Sequence, residues 1–383
     1  MSAAPLRVGL LGAGNVGREV VRVLLDQPDS LRTVDGVALE LAGVAVRDVA
    51  AAEADGIPAS LLTDAPAHLV AAPDVDVIVE LIGGEEPAST LIAAALGAGR
   101  PVVTANKAVL AGHGAELEAA ARRTGASLRF EAAVGGGTPI LSVLASDLVA
   151  NRVAAVRGIV NGTTNFILSE MAATGRGYEV VLAEAQAAGY AEADPVSDVE
   201  GRDAINKLVI LARLAFGAWL DPAAIGDRVN GGAGTGLPGV TGVTAEDIAG
   251  ARRRGLVIRL LATARRASDD GSIEASVVPT AVSVESPFGR TIGVLNRIEI
   301  DADPVGQLAF EGPGAGGSAT ASAVLADLVA IARGLGSTWA GLPPAGAARE
   351  RPRAPSRPDA SGAGDGSETW FDGPSGARYP IVE

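Results

Sequence analysis

The chain has 383 residues, 48% of them hydrophobic but only 3% aromatic, and a formal net charge of −14. That length allows two domains with cores built from Ala, Val, Leu and Ile, and the acidic balance argues against nucleic acid as a partner, because phosphate binding needs a basic surface. There is no cysteine and only two histidines, His68 and His113, far apart in sequence, so disulfides, thiol nucleophiles, Cys-ligated zinc and His-based triads fall away.

The opening third alternates β-rich runs with Ala/Leu-rich stretches at helical spacing. Strands are expected over 7–11, 37–46, 75–81, 101–104 and 127–131, with helices such as 16–25 and 89–97 between them. This rhythm predicts a parallel sheet covered by helices on both faces. No basic or long apolar leader precedes the first strand and no later apolar run suits a bilayer, so a soluble, cytoplasmic protein without a membrane partner is expected.

Between the first strand and first helix lies Gly12-Ala13-Gly14-Asn15-Val16-Gly17. In that setting the first glycine permits a tight turn, the second lets backbone approach a pyrophosphate, and the third allows helix to pack on strand. The helix N-terminus favours the anion. These residues are therefore expected to hold a dinucleotide. At the end of the second strand stand Arg47 and Asp48. Asp would bind the ribose hydroxyls of NAD and Arg the extra phosphate of NADP. The pair leaves both open and favours NADP.

A helix is expected from Thr138 as N-cap, with Pro139 in its first turn. Past residue 152 the pattern changes. A strand over 153–160 precedes helical runs at 164–171, 178–188 and a long one over 198–216. Glycine-rich 231–242 leads to a helix at 245–254, then strands at 256–264, 273–284, 297–301 and 307–311, two of them joined by Asp269-Asp270-Gly271 as in an antiparallel connection. A final helix spans 319–332. The fold class is α/β: an N-terminal Rossmann-type doubly wound parallel sheet over 1–150, then an α+β domain over 151–312 with an open, mostly antiparallel sheet. A helical segment over 313–340 returns to the first domain. Residues 341–383, dominated by Pro, Ala, Arg, Ser and Gly without periodicity, read as a disordered tail.

Of 31 basic residues only two are lysine, Lys107 and Lys207. Arg stays charged at any working pH, whereas a lysine ammonium can be tuned to exchange a proton. Lys107 follows a strand end in Thr104-Ala105-Asn106-Lys107, the edge where open parallel sheets bind ligands. Lys207 shares a helix face with Asp203, and Glu192, Asp194, Asp198 and Glu200 crowd upstream. A surface ion pair and a favourable helix-dipole pattern would explain Asp203, Asp198 and Glu200. They explain less well Glu192, within Gly189-Tyr190-Ala191-Glu192. A carboxylate-rich entrance with a lysine behind it suits a small cationic substrate.

These stretches together resemble homoserine dehydrogenase. The matches are LLGAGNVG at the start, TANKAVLA around Lys107, FEAAVGGGTPI from Phe130, VNGTTNFIL from Val160, AGYAEADPVSDVEGRDAINKLVILA from Ala188 and EGPGAGGSATASAVLADL from Glu311. The resemblance implies an oxidoreductase that interconverts L-homoserine and L-aspartate 4-semialdehyde with NADP or NAD, in threonine, methionine and isoleucine biosynthesis. It implies that Lys207 and Lys107 lie in the active site and move protons, with Asp203 orienting Lys207. Glu192 and Asp198 would bind the amino acid, beside Thr163, Gly189 and Tyr190. The cofactor would contact Gly12, Gly14, Asn15, Val16, Gly17, Arg47, Thr104, Asn106 and Lys107, with Gly314 in a segment closing over the nicotinamide side. A monovalent cation, sodium or potassium, would sit in a loop at Glu131, bound by carbonyls of Val134, Gly136 and Thr138. A homodimer made through the second-domain sheet is expected.

The chain departs from the family pattern in two places. Residues past Gly336 do not read as the regulatory ACT domain of many relatives, and the Gly-rich stretch 229–243 is expanded. Rival dehydrogenases lack support. Acylating enzymes need a cysteine nucleophile, zinc alcohol dehydrogenases need Cys and His, and no tyrosine here has a lysine four places on. A non-catalytic nucleotide sensor would need the glycine loop but neither lysine.

Overall fold

The computed structural model describes residues 4–26, 38–227, 239–267, 271–346 and 369–382. These group into two compact units, Met1–Ala150 with Ala315–Ala345, and Asn151–Gly314 with Gly346–Glu383.

The first unit is built on six strands: β1 (Leu6–Leu11), β2 (Leu39–Ala45), β3 (Leu62–Thr63), β4 (Val77–Glu80), β5 (Val102–Thr104) and β6 (Leu128–Arg129). They lie in the order β3-β2-β1-β4-β5-β6, all parallel. The order reverses beside β1, and the crevice at that switch point is where such sheets bind dinucleotides. Val77, Ile78 and Val79 are fully buried, as in a sheet covered on both faces. On one face Val20, Val21 and Leu24 of helix Asn15–Asp26 join Val324, Leu325 and Leu328 of helix Gly317–Ala332. The helices approach closely because Gly317 is a glycine: a Cβ there would meet Asn15 O at 2.8 Å.

The second unit holds β7 (Arg152–Ile159), β8 (Leu256–Arg266), β9 (Ile273–Ser283), β10 (Leu295–Asp303), β11 (Gly306–Pro313), β12 (Thr369–Asp372) and β13 (Arg378–Val382). Their order is β11-β10-β7-β8-β9-β13-β12. All pairs are antiparallel except β13 on β9. The α/β fold class and the mostly antiparallel second sheet are as the sequence predicts. Helix Arg202–Phe216 is almost wholly buried, from Ala204 to Phe216.

Three expectations are corrected. The long helix over 198–216 is broken into Val196–Val199 and Arg202–Phe216. Gly201 between them takes φ +82, the left-handed conformation that glycine adopts without strain. Thr138 does not cap the helical turn that follows it. The buried Glu131 carboxylate does, accepting from the backbone N–H of Ile140 (2.8 Å), Leu141 (2.9 Å) and Ser142 (2.7 Å).

The third correction is at the chain's end. Residues 369–372 and 378–382 are not a disordered tail but a hairpin on the edge of β9. Composition misleads there because the hairpin's anchors are few. Phe371 and Tyr379 are buried, and Asp247 accepts from Ser375 N (3.0 Å), Ser375 Oγ (2.6 Å) and Tyr379 OH (2.9 Å). Most of the glycine-rich stretch 229–243 and the Asp269-Asp270 pair lie outside the described residues.

Candidate active site

In the first unit the glycine loop has distinct steric reasons for each glycine. A Cβ on Gly12, which has φ +95, would sit 2.6 Å from Leu81 O, and one on Gly17 would collide with Gly12 O. Gly14, by contrast, has nothing within 4 Å of a Cβ position. Two glycines therefore serve packing, while the space beside the middle one is open, at the N-terminus of helix Asn15–Asp26 that also carries Val16. That cradle fits a dinucleotide pyrophosphate. Asp48 accepts from Ala51 N at 2.9 Å and caps helix Val49–Ala54, while Arg47 is exposed.

Lys107 is the first residue of helix Lys107–Thr124. The turn that delivers it is held by a buried chain of hydrogen bonds. Asn106 Oδ1 accepts from Val109 N (3.2 Å), Asn106 Nδ2 donates to Gly84 O (2.7 Å), and Thr104 Oγ1 donates to Glu80 Oε2 (2.6 Å) while accepting from Asn106 N (3.0 Å). Glu80, fully buried at the end of β4, is a residue that sequence reasoning missed. An acidic residue inside an apolar run, VIVELI, is the signal it left.

The Glu131 loop is also in this unit. Its carboxylate is occupied by the three N–H groups named above, so its own contribution to a cation would be its carbonyl. Gly135 and Gly136 take φ +75 and +58, and Thr138 N donates to Gly135 O at 2.9 Å, curling the backbone that carries the Val134, Gly136 and Thr138 carbonyls. Backbone carbonyl oxygens are the donor type that can replace the hydration shell of a monovalent cation. Asp327 fixes the loop's base, accepting from Arg129 Nε and Glu131 N, both at 2.7 Å. Burial pushes the Asp327 carboxyl up to about 6, against the pull of Arg129.

In the second unit a compact polar cluster forms where β7 ends and helix Gly162–Thr174 begins. Lys207 Nζ donates to Asp203 Oδ2 and to Val160 O, both at 2.7 Å. Asp203 and Lys207 are only 4% and 7% exposed. Asn161 Nδ2 donates to Asp198 Oδ1 (2.8 Å) and to Asp203 Oδ2 (2.9 Å). The Thr163 hydroxyl lies 2.9 Å from both Asp198 Oδ2 and Tyr190 O. Gly189, at φ +75, turns the chain into Tyr190, whose ring packs on Phe166 at 4.8 Å.

The structure thus brings Thr163, Tyr190, Asp198, Asp203 and Lys207 together. The Glu192 side chain is exposed, and its carbonyl accepts from Gln186 Nε2 at 3.1 Å. Gly314 lies at the end of β11, where a Cβ would collide with the Asn296 amide. Asn161 and the Val160 carbonyl were missed by sequence reasoning. An Asn followed by Gly-Thr-Thr at the head of a helical run is an N-cap signal, but nothing in it reveals the carboxylates on its other side.

Comparison with known proteins bears directly on this arrangement. Residues 139–329 match a family model described as homoserine dehydrogenase, and 12–131 one described as homoserine dehydrogenase, NAD binding domain. The chain is 44% identical over 332 residues to homoserine dehydrogenase of Mycobacterium tuberculosis, covering 86% of this chain and 73% of that protein. Against the Bacillus subtilis enzyme it is 40% identical over 330 residues, with 86% and 73% covered. A crystal structure of a homoserine dehydrogenase from Thiobacillus denitrificans superposes with TM-score 0.83 at 40% identity, covering 91% of this chain and 80% of that one. A hyperthermophilic archaeal homoserine dehydrogenase in complex with NADPH gives TM-score 0.69 at 26% identity, covering 85% and 97%. At this identity and coverage, with both family models matched, the chain belongs to the homoserine dehydrogenase family.

Proposed function

We propose that the Lys207 cluster is the substrate-binding and proton-transfer centre of this enzyme. The reaction is the family's: L-homoserine and L-aspartate 4-semialdehyde are interconverted with NAD(P), on the route to threonine and methionine. The small-molecule substrate carries an ammonium group and a reacting oxygen. When bound, the nicotinamide supplies or accepts the hydride.

The observation that carries the reading is the buried Lys207 ammonium held by Asp203 and the Val160 carbonyl. Two of its three N–H bonds are fixed, and the third is available to an oxygen on which charge develops. Such a donor stabilises that charge and then delivers its proton, or takes it back in the oxidative direction. Lys107 serves as the second amine of the same reaction. Asp198 and Glu192 hold the substrate ammonium, with Thr163 and the Gly189–Tyr190 turn lining the amino-acid site.

On the cofactor side, Gly12, Gly14, Asn15, Val16 and Gly17 would hold the pyrophosphate, Thr104 and Asn106 would shape the turn beside it, and Gly314 would belong to the covering segment. NADP is the favoured cofactor: Arg47 and Asp48 are both exposed, and Asp48 gives one carboxylate oxygen to a helix cap. The carbonyls of Glu131, Val134, Gly136 and Thr138 would hold a sodium or potassium ion. The enzyme works in the cytoplasm as a homodimer. Among the described residues β11 pairs only with β10, and such a sheet edge supports a contact through the second-unit sheet. Among the described residues no helix is long and apolar enough to cross a membrane.

The test is homoserine-dependent reduction of NADP and NAD, measured separately. Turnover with a preference for NADP is expected. No homoserine-dependent turnover with either cofactor would end the reading, and a strong preference for NAD would reverse the assignment of Arg47.

A further inference from the structure

We propose that Asn161 is a positioning residue of the reaction, one that holds two carboxylates to separate tasks. The proposal rests on the reading of Lys207 and Asp198 given above. Asn161 is 5% exposed and has every polar atom of its side chain engaged. Its Oδ1 accepts from Thr164 N (2.8 Å) and Thr164 Oγ1 (2.9 Å), which caps helix Gly162–Thr174. Its Nδ2 faces the other way and gives one hydrogen to Asp198 Oδ1 and one to Asp203 Oδ2.

A cap alone does not explain an asparagine here. Ser or Asp caps a helix about as well as Asn, but only an amide accepts on one end and donates twice on the other. The amide gives one hydrogen to each of two like-charged groups, the buried Asp203 and the half-buried Asp198, and so offsets the repulsion between them. With the amide between them, Asp203 Oδ2 receives both Asn161 and Lys207 and keeps one rotamer. Asp198, fixed by Asn161 on one oxygen and Thr163 on the other, is left to serve the substrate ammonium. Asn161 touches neither substrate nor cofactor in this account. It acts through Asp203 on the proton donor and through Asp198 on binding.

The two roles make opposite predictions for Asn161→Asp. If the residue is only a cap, Asp is silent. If it separates the carboxylates, Asp places a third acceptor where two donor hydrogens were and is the most damaging change. We expect kcat to fall about tenfold in Asn161→Ser, which keeps a cap oxygen but cannot reach Asp203, and roughly a hundredfold in Asn161→Asp. KM for homoserine should rise in both, and NADPH binding by fluorescence titration should be unchanged. Wild-type kcat and KM in a folded Asn161→Asp enzyme would overturn the proposal. Should that variant fail to fold, wild-type kcat in folded Asn161→Ser overturns it equally. Lys207→Arg keeps the tests apart: if that enzyme is fully active the underlying reading fails, whereas an inactive Lys207→Arg beside a normal Asn161→Asp refutes only the role of Asn161.

Discussion

A lysine ammonium and a guanidinium carry the same charge, yet only the first readily gives up a proton. That difference made Lys107 and Lys207 visible in a chain that otherwise uses arginine, and burial among Asp203, Asn161 and the Val160 carbonyl gives Lys207 its geometry. Asp203 could be read from its spacing of four on the helix. Asn161 could not, because its partners lie 37 and 42 positions away, and only the fold brings them to one amide. The glycine loop separates packing from ligand approach in the same residue-by-residue way. Gly17→Ala should destabilise by about 1–3 kcal/mol, since its methyl meets backbone oxygen rather than a movable side chain. Gly14→Ala should melt like the parent while its KM for NADP rises several-fold, because the open space is where the cofactor approaches. Thermal melts and cofactor titrations of the two variants check this, and a Gly14→Ala enzyme with unaltered cofactor affinity would contradict it. Glu192 is exposed and leaves its carboxylate to solvent or substrate. Glu192→Ala should raise KM for homoserine about tenfold with little change in kcat, and an unmoved KM removes Glu192 from binding.

Elements with strong periodicity were legible in the sequence. Five of the six parallel strands, helix Arg202–Phe216 and the β8–β9 pair follow from apolar runs and their flanking glycines, whereas β3, only two residues long, was missed. What escaped were features set by single long-range side chains: the Glu131 cap on the 140–142 turn, the left-handed break at Gly201, and the hairpin β12–β13. The hairpin hangs on Asp247. Burial works against that carboxyl's charge, but hydrogen bonds from Ser375, Tyr379 and Thr244 outweigh it and hold the group below its ordinary value of 3.8. A depressed carboxyl stabilises the fold above its unfolded-state value, and the contribution is lost as pH falls through the folded-state value. The hairpin should therefore loosen on the acid side of the usual carboxylate range and be pH-insensitive near neutrality. Tyr379→Phe removes a buried bond to a charged acceptor and should cost about 1.5–3 kcal/mol at neutral pH. Amide-exchange protection across 369–382 reports both effects. Equal protection in parent and variant would mean that the Asp247 network does not hold the strands.

For the molecule as a whole, alternating strands and helices announced the first sheet, and a change of rhythm near residue 152 announced the second. Neither fixes chemistry, since doubly wound sheets serve many reactions. Chemistry entered through a few side chains at strand ends and helix starts, and the long stretches shared with homoserine dehydrogenases tie those side chains to one reaction. The central claim is that Lys207 supplies and accepts the proton that accompanies hydride transfer. The most direct measurement is kcat of Lys207→Arg for homoserine oxidation and semialdehyde reduction, with NADPH affinity measured alongside. We predict a fall of about a hundredfold or more in both directions, with NADPH bound as tightly as before. An arginine enzyme turning over at the parent rate would contradict the account, because a charge that keeps its proton would then suffice.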